Sequence, residues 1–180
     1  KLKQMNMKFR IILLYILLLV FSMGKADALL AAVTPSHPIV LLTTGRYFSN
    51  YTSEILRAEG FNAFQIVSIT DKAISLEELK KFDIVILGQS ELTATNADIL
   101  STFVRGGGNL IAFRPDKRLS TVFGINPSAA TIHEGYLSVI QQTEIGKGLT
   151  KETMQFHGTA DAYTLGSAES IAMLFKNSVS

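Results

Sequence analysis

Asp83-Ile84-Val85-Ile86-Leu87-Gly88 is an unbroken apolar run between two turn-forming residues, and three of its four core residues are β-branched. A strand with one wet face alternates apolar and polar residues; a run without polar members predicts a strand covered on both faces, the habit of parallel sheets. Pro38 opens a second such run, Ile39-Val40-Leu41-Leu42, which Thr43-Thr44-Gly45 ends. Residues 64–69 and 110–113 read as two further strands, the first closed by Thr70-Asp71 and the second by Arg114-Pro115-Asp116.

Between these strands the apolar period lengthens to that of a helix. Residues 49–59 place Tyr51, Ile55 and Ala58 on one stripe, expected to face the sheet, with Gly60 as the stop. Ser75-Leu76-Glu77-Glu78 has the form of a capping box, in which Ser75 accepts from the third amide and Glu78 reaches back. Leu76, Leu79 and Phe82 then face the sheet. Thr95 is the expected cap of a helix carrying Ile99, Leu100, Phe103 and Val104, and Gly106-Gly107-Gly108 ends it, since a left-handed cap suits a residue without Cβ.

Four strand–helix repeats with short connections need crossovers, and right-handed crossovers distribute helices over both faces. The predicted fold is α/β, a three-layer αβα sandwich with a flavodoxin-like, mostly parallel sheet, preceded by an apolar leader helix. After Gly124 the pattern weakens. Residues 126–130 read as loop, 136–140 and 154–157 as short strands, 145–149 as a turn, and 167–175 as either helix or strand. The missing last element suggests a domain, residues 38–180, truncated at its carboxyl end.

The amino-terminal segment stands apart. Lys1, Lys3, Lys8 and Arg10 precede an apolar stretch over 11–23, followed by Ala26-Asp27-Ala28. A basic start, a short apolar segment and small residues before a cleavage point describe a signal peptide over 1–28, with 29–37 as linker. The expected location is secreted, periplasmic or extracellular; the alternative is a membrane anchor formed by residues 11–23 if the leader stays attached. Five of the chain's 17 basic residues and one of its 15 acids lie in this segment, so the remainder carries 12 and 14 and a net charge of −2. No basic cluster survives to follow a phosphate backbone, which argues against nucleic acid as a partner. With no Cys in its 180 residues, the chain also has no disulfide, thiolate nucleophile or Cys-based metal site.

Ligands of open α/β sheets bind at the carboxyl ends of the strands. There the sequence supplies Thr44, Arg46, Asp71, Gln89, Arg114 and Asp116 as candidate ligand-binding residues, and Ser90, Glu91 and His157 as candidate catalytic ones. Ser90 follows a buried strand as an elbow nucleophile would, but that turn wants Gly two residues to either side; Gly88 meets the first demand and Leu92 fails the second. Gly106-Gly107-Gly108 follows a helix and precedes a strand, the wrong order for a phosphate cradle. His133-Glu134, and His157 with Asp161, each pair an imidazole with a carboxylate, without the spacing of a metal motif. No metal or cofactor is implied.

The run from Pro38 to Phe123 resembles the class I glutamine amidotransferase-like superfamily, within it the trehalose-utilisation type and the amidotransferase-like domain of relatives of the N,N-dimethylformamidase large subunit. The resemblance is carried by Ile39-Val40-Leu41-Leu42-Thr43, by Asp83 to Gly88, and by Gly106-Gly107-Gly108-Asn109-Leu110-Ile111-Ala112-Phe113-Arg114-Pro115. His157-Gly158-Thr159-Ala160-Asp161-Ala162-Tyr163 is also similar to segments of such domains. Active members of that superfamily place a Cys at the sharp turn after the fourth or equivalent strand and complete a triad with His and Glu. That turn would fall near Arg114-Pro115-Asp116, and this chain has no Cys, so glutamine hydrolysis by the family mechanism is excluded.

The leader, the missing nucleophile and the abrupt carboxyl end, taken with the resemblance, lead us to expect an exported, catalytically degenerate module acting as a scaffold or a ligand- or partner-binding unit, whose partners are downstream domains of the same polypeptide. One alternative is a secreted hydrolase or carbohydrate-processing enzyme using Gln89, Ser90, Glu91, Arg114, Asp116 and His157. Another is a small metal- or sugar-binding domain without turnover.

Overall fold

The chain divides into two units, Lys1–Ser36 and His37–Ser180. A computed structural model describes residues 37–45, 47–127 and 130–177, all in the second unit; the side chains of 47–49 are not described. The leader helix expected over 11–23 therefore lies outside the described residues. Among the described residues no helix is long and apolar enough to cross a membrane.

The first half alternates β1 (Ile39–Thr43), α1 (Tyr47–Ala58), β2 (Phe64–Ser68), α2 (Leu76–Leu79), β3 (Ile84–Leu87), α3 (Ala94–Arg105) and β4 (Asn109–Ala112). The four strands form one wholly parallel sheet in the order β2-β1-β3-β4. Its apolar runs occupy the places their composition demands. In the central strands Val40, Leu41, Leu42, Val85, Ile86 and Leu87 are buried, whereas the edge strands β2 and β4 keep exposed positions.

Alternate residues of the central strands feed two cores. Val40, Leu42, Val85 and Leu87 pack with Leu79 of α2, with Ala97, Leu100 and Phe103 of α3, and with Leu119. Leu41 and Ile86 pack on the other face with Phe64 and with Leu56 of α1. Here the expected stripe of α1 is wrong. Tyr51, Ile55 and Ala58 point outward, and the buried side of the helix carries Thr52, Ser53 and partly buried Leu56. The helix thus turns two small hydroxyl residues inward, and Ser53 remains satisfied by donating to the Asn50 carbonyl at 2.7 Å. Arg57 sits over the Phe64 ring, 5.2 Å from its centroid.

The capping box of α2 forms in one half: Ser75 accepts from the Glu78 amide at 3.2 Å, while the Glu78 carboxylate takes Lys72 at 2.7 Å and the Ser75 hydroxyl at 3.4 Å in place of the Ser75 amide. For α3 the cap is Thr93 rather than Thr95; its hydroxyl accepts from the Asn96 amide, also at 3.2 Å. Thr93 has the extended backbone a cap requires, while Thr95 already lies in the first turn. The triple glycine ends α3, but the left-handed step belongs to Gly107 (φ 93°), and Gly106 stays at φ −82°.

Beyond β4 come a 3₁₀ turn (Lys117–Leu119), a single-turn α4 (Ser120–Phe123) and only short strands. β5 (Ile125–Asn126) pairs with β10 (Thr164–Leu165), β6 (Thr131–His133) with β9 (Thr159–Asp161), and β7 (Tyr136–Val139) with both β8 (Met154–Gln155) and β11 (Ala172–Phe175), all antiparallel. The loop expected from 126 thus begins as a strand residue, and the helix-or-strand choice at 167–175 resolves to a strand over its last four residues. The described architecture is mixed α/β: a four-stranded parallel sheet with a few helices, then an antiparallel β region.

Candidate functional site

In the order β2-β1-β3-β4 the connections leave β1 and β3 toward opposite edges, so the sheet has its topological switch point between them, where the loops part and leave a crevice. One strand further along, at the carboxyl ends of β3 and β4, lies an open cavity of about 510 Å³. The loop after β3 lines it with Gln89, Ser90, Glu91 and Leu92, and the loop after β4 with Arg114, Asp116, Lys117 and Arg118. Asp161, at the end of β9, completes the wall. A smaller cavity of about 220 Å³ under α2 has mixed lining, with Val40, Leu42 and Val67 beside Lys72 and Glu78, and sits away from these loops.

Two carboxylates hold the crevice together. Asp116 accepts from the Leu92 amide at 3.0 Å and from the Arg118 amide at 2.8 Å, and faces the Arg118 guanidinium at 3.2 Å. It therefore ties the two loops to each other. Its side chain is only 6% exposed. Burial alone would raise its pKa, but the amides of Arg118 and Leu92 and the Arg118 charge outweigh it and hold the carboxyl below its ordinary value.

Asp161 receives Arg114 in a fork, Nε to Oδ2 at 2.9 Å and Nη2 to Oδ1 at 2.6 Å, and also accepts from the Tyr163 hydroxyl at 3.2 Å. Hydrogen bonding to Arg114 pushes the Asp161 pKa down against partial burial, while burial and then the Asp161 charge push the Tyr163 phenol up. Arg114 achieves this reach with φ 45°, a left-handed backbone that costs a non-glycine residue of order 1 kcal/mol. The fork links the parallel sheet to β9.

Once Asp116 and Asp161 have taken Arg118 and Arg114, the crevice keeps Glu91 and Lys117 as exposed charges of opposite sign and Gln89 as an uncommitted amide; none of the three has a side-chain hydrogen bond among the described residues. Three acids and three bases line it, so it carries no net formal charge. Ser90 donates its hydroxyl to the Gly88 carbonyl at 3.1 Å, and no imidazole bonds to it.

The remaining candidates lie elsewhere. Thr44 and Asp71 are not part of this lining; Asp71 is held by the Thr70 hydroxyl, and the Thr44 hydroxyl is buried without a hydrogen-bond partner among the described residues. Arg46 falls outside the described residues. His157 joins Glu134, Nδ1 to Oε2 at 2.6 Å, while the Gly158 amide donates to Oε1 at 2.7 Å. Those two contacts, the amide first, lower the Glu134 pKa. His133 meets the Thr159 hydroxyl at 3.0 Å. Glu134 is left-handed too, at φ 49°.

The structure therefore gathers Gln89, Ser90, Glu91, Arg114 and Asp116 in one crevice and gives His157 a separate address. It adds Lys117, Arg118 and Asp161. Asp116 followed two residues later by Arg118 is a local signal for a capped turn that a closer sequence reading could use. The pairing of Arg114 with Asp161, 47 residues apart, leaves no local signal. Among the described residues no group of three or more His, Asp or Glu is arranged to hold a metal ion. No protein-family model matches the sequence, and no curated protein matches it either.

Proposed function

We propose that this chain is an exported, non-catalytic module of a larger protein, an amidotransferase-like domain without its nucleophile, whose crevice at the strand ends holds a small, uncharged, polyhydroxylated ligand. The leader over 1–28 supports export, and the absence of Cys supports a binding role over glutamine hydrolysis. The strand order β2-β1-β3-β4, with α1 on one face and α2 and α3 on the other, supports a flavodoxin-like three-layer reading of the first half.

One observation carries the ligand class: the crevice is polar, its two best-held carboxylates are already matched by guanidinium groups, and its formal charge is zero. The charges left unpaired, Glu91 and Lys117, are opposite in sign, so the crevice offers neither a free anion nor a free cation a net attraction. A hydroxylated ligand instead hydrogen-bonds to the outer edges of those pairs, to Gln89 and to Glu91, and leaves them intact.

Titration calorimetry of the chain with glucose, galactose and maltose, beside acetate and phosphate, tests this reading. A saccharide is expected to bind with a Kd in the micromolar to millimolar range, roughly 4–8 kcal/mol, and Arg114→Ala to weaken it about tenfold or more. Binding of acetate or phosphate in preference to every sugar would overturn the ligand class. Ester or glycoside turnover that disappears in Glu91→Ala would overturn the non-catalytic assignment.

A further inference from the structure

Among the described residues of the parallel-sheet half, Tyr51, Ile55, Phe61, Ile66 and Ile111 are large hydrophobic side chains left 44–61% exposed. They are not scattered. Tyr51 and Ile55 form the outer stripe of α1, where they are 56% and 61% exposed, and Phe61 follows the end of that helix. Ile66 and Ile111 stand in register with Leu41 and Ile86, so they flank the row that α1 covers. Ile66 and Ile111 thus lie on the face opposite the one that α2 and α3 cover. Single exposed hydrophobics need no explanation, but a set confined to one layer marks an interaction surface.

The charges around the stripe select the partner. Glu54 and Glu59 border it, both exposed and without an ion pair among the described residues. Arg57 is turned away, over Phe64 and toward Ser53. Two copies of this face would bring four unpaired acids together, and an anionic bilayer would meet the same repulsion. Tyr51, Ile55 and Ala58 recur at the i, i+4, i+7 spacing by which one helix seats its ridge against another.

From this we infer that the α1 face docks an amphipathic helix of a partner protein or domain, apolar along its centre and lysine- or arginine-rich along its borders. The site is independent of the crevice. Its apolar centre supplies affinity, and Glu54 and Glu59 choose among helices by charge.

Fluorescence anisotropy of the full chain with a labelled Leu/Lys helical peptide of about 18 residues tests the inference, with a Leu/Glu peptide of the same pattern as comparison. The Lys peptide is expected to bind at least about tenfold tighter than the Glu peptide, and Ile55→Glu to remove most of that binding. The double variant Glu54→Lys/Glu59→Lys should reverse the preference. All three positions are exposed, so the variants should keep the parent's circular dichroism and melting temperature. Equal binding of the two peptides, a preference unmoved by charge reversal, or binding unaffected by Ile55→Glu would overturn it. Sedimentation of the parent as a dimer that Ile55→Glu splits would replace the basic helix with a second copy of the chain.

Discussion

Leu100→Ala should lower the unfolding free energy by about 3 kcal/mol, within the 2–5 kcal/mol span of buried leucine truncations. Leu100 has no accessible surface, and it packs from α3 against the side of the sheet built by Val40, Leu42, Val85 and Leu87. Removing three carbons there loses their transfer energy and opens a cavity, because the neighbours belong to two central strands locked in register with β2 and β4. A urea midpoint shift without a change in slope would report it. Ile55→Ala is the internal contrast. Predicted from its period to face the sheet, Ile55 is exposed, and its truncation should change stability by about 0.5 kcal/mol or less. If the two substitutions cost the same, the orientation of α1 is wrong.

Asp116→Ala should cost about 2–3 kcal/mol and act on both stability and the crevice. The substitution strands the Leu92 amide and the Arg118 guanidinium, and unties the loop after β3 from the loop after β4. Saccharide binding should fall with it.

Acid stability carries the same signature. The Asp116 pKa is lower in the folded protein than in the unfolded chain, so the unfolded chain takes up the proton first as pH falls. Its contribution is complete above about pH 5 and disappears as pH drops through the folded pKa. Asp161 shifts in the same direction, for the same reason, through Arg114. The Asp116→Ala protein should therefore lose less stability between pH 5 and pH 2 than the parent. An acid limb of unchanged slope would remove Asp116 from that role.

The first half of the fold was legible because its signals are strong and local. Continuous apolar runs such as Ile84 to Leu87 have one good home, the middle of a doubly covered sheet, and that is where β1 and β3 lie. Ser75 caps α2 in the structure as its sequence position indicates. The rotation of α1 was not legible. Its apolar stripe is real, but the side turned inward carries Thr52, Ser53 and Leu56, a mixed set that no hydrophobic period would single out. The second half failed for want of length: strands of two to four residues such as β5, β8 and β10 carry too few side chains to show a period.

Within the site, strand-end topology named Gln89, Ser90, Glu91, Arg114 and Asp116 from the adjacent strands β3 and β4, but it also named Thr44 and Asp71, which follow β1 and β2 and lie outside the lining. Asp161 arrives from the antiparallel region, and His157, expected among them, is occupied by Glu134 instead.

Amide chemical-shift mapping of the chain during titration with the saccharide panel tests the central claim, that this crevice is the binding site. Shifts are expected at 89–92, at 114 and 116–118, and at 161–163, and Arg114→Ala is expected to move their midpoint to about tenfold more sugar or beyond. Shifts centred on Glu134 and His157, or none at saturating sugar, would contradict it.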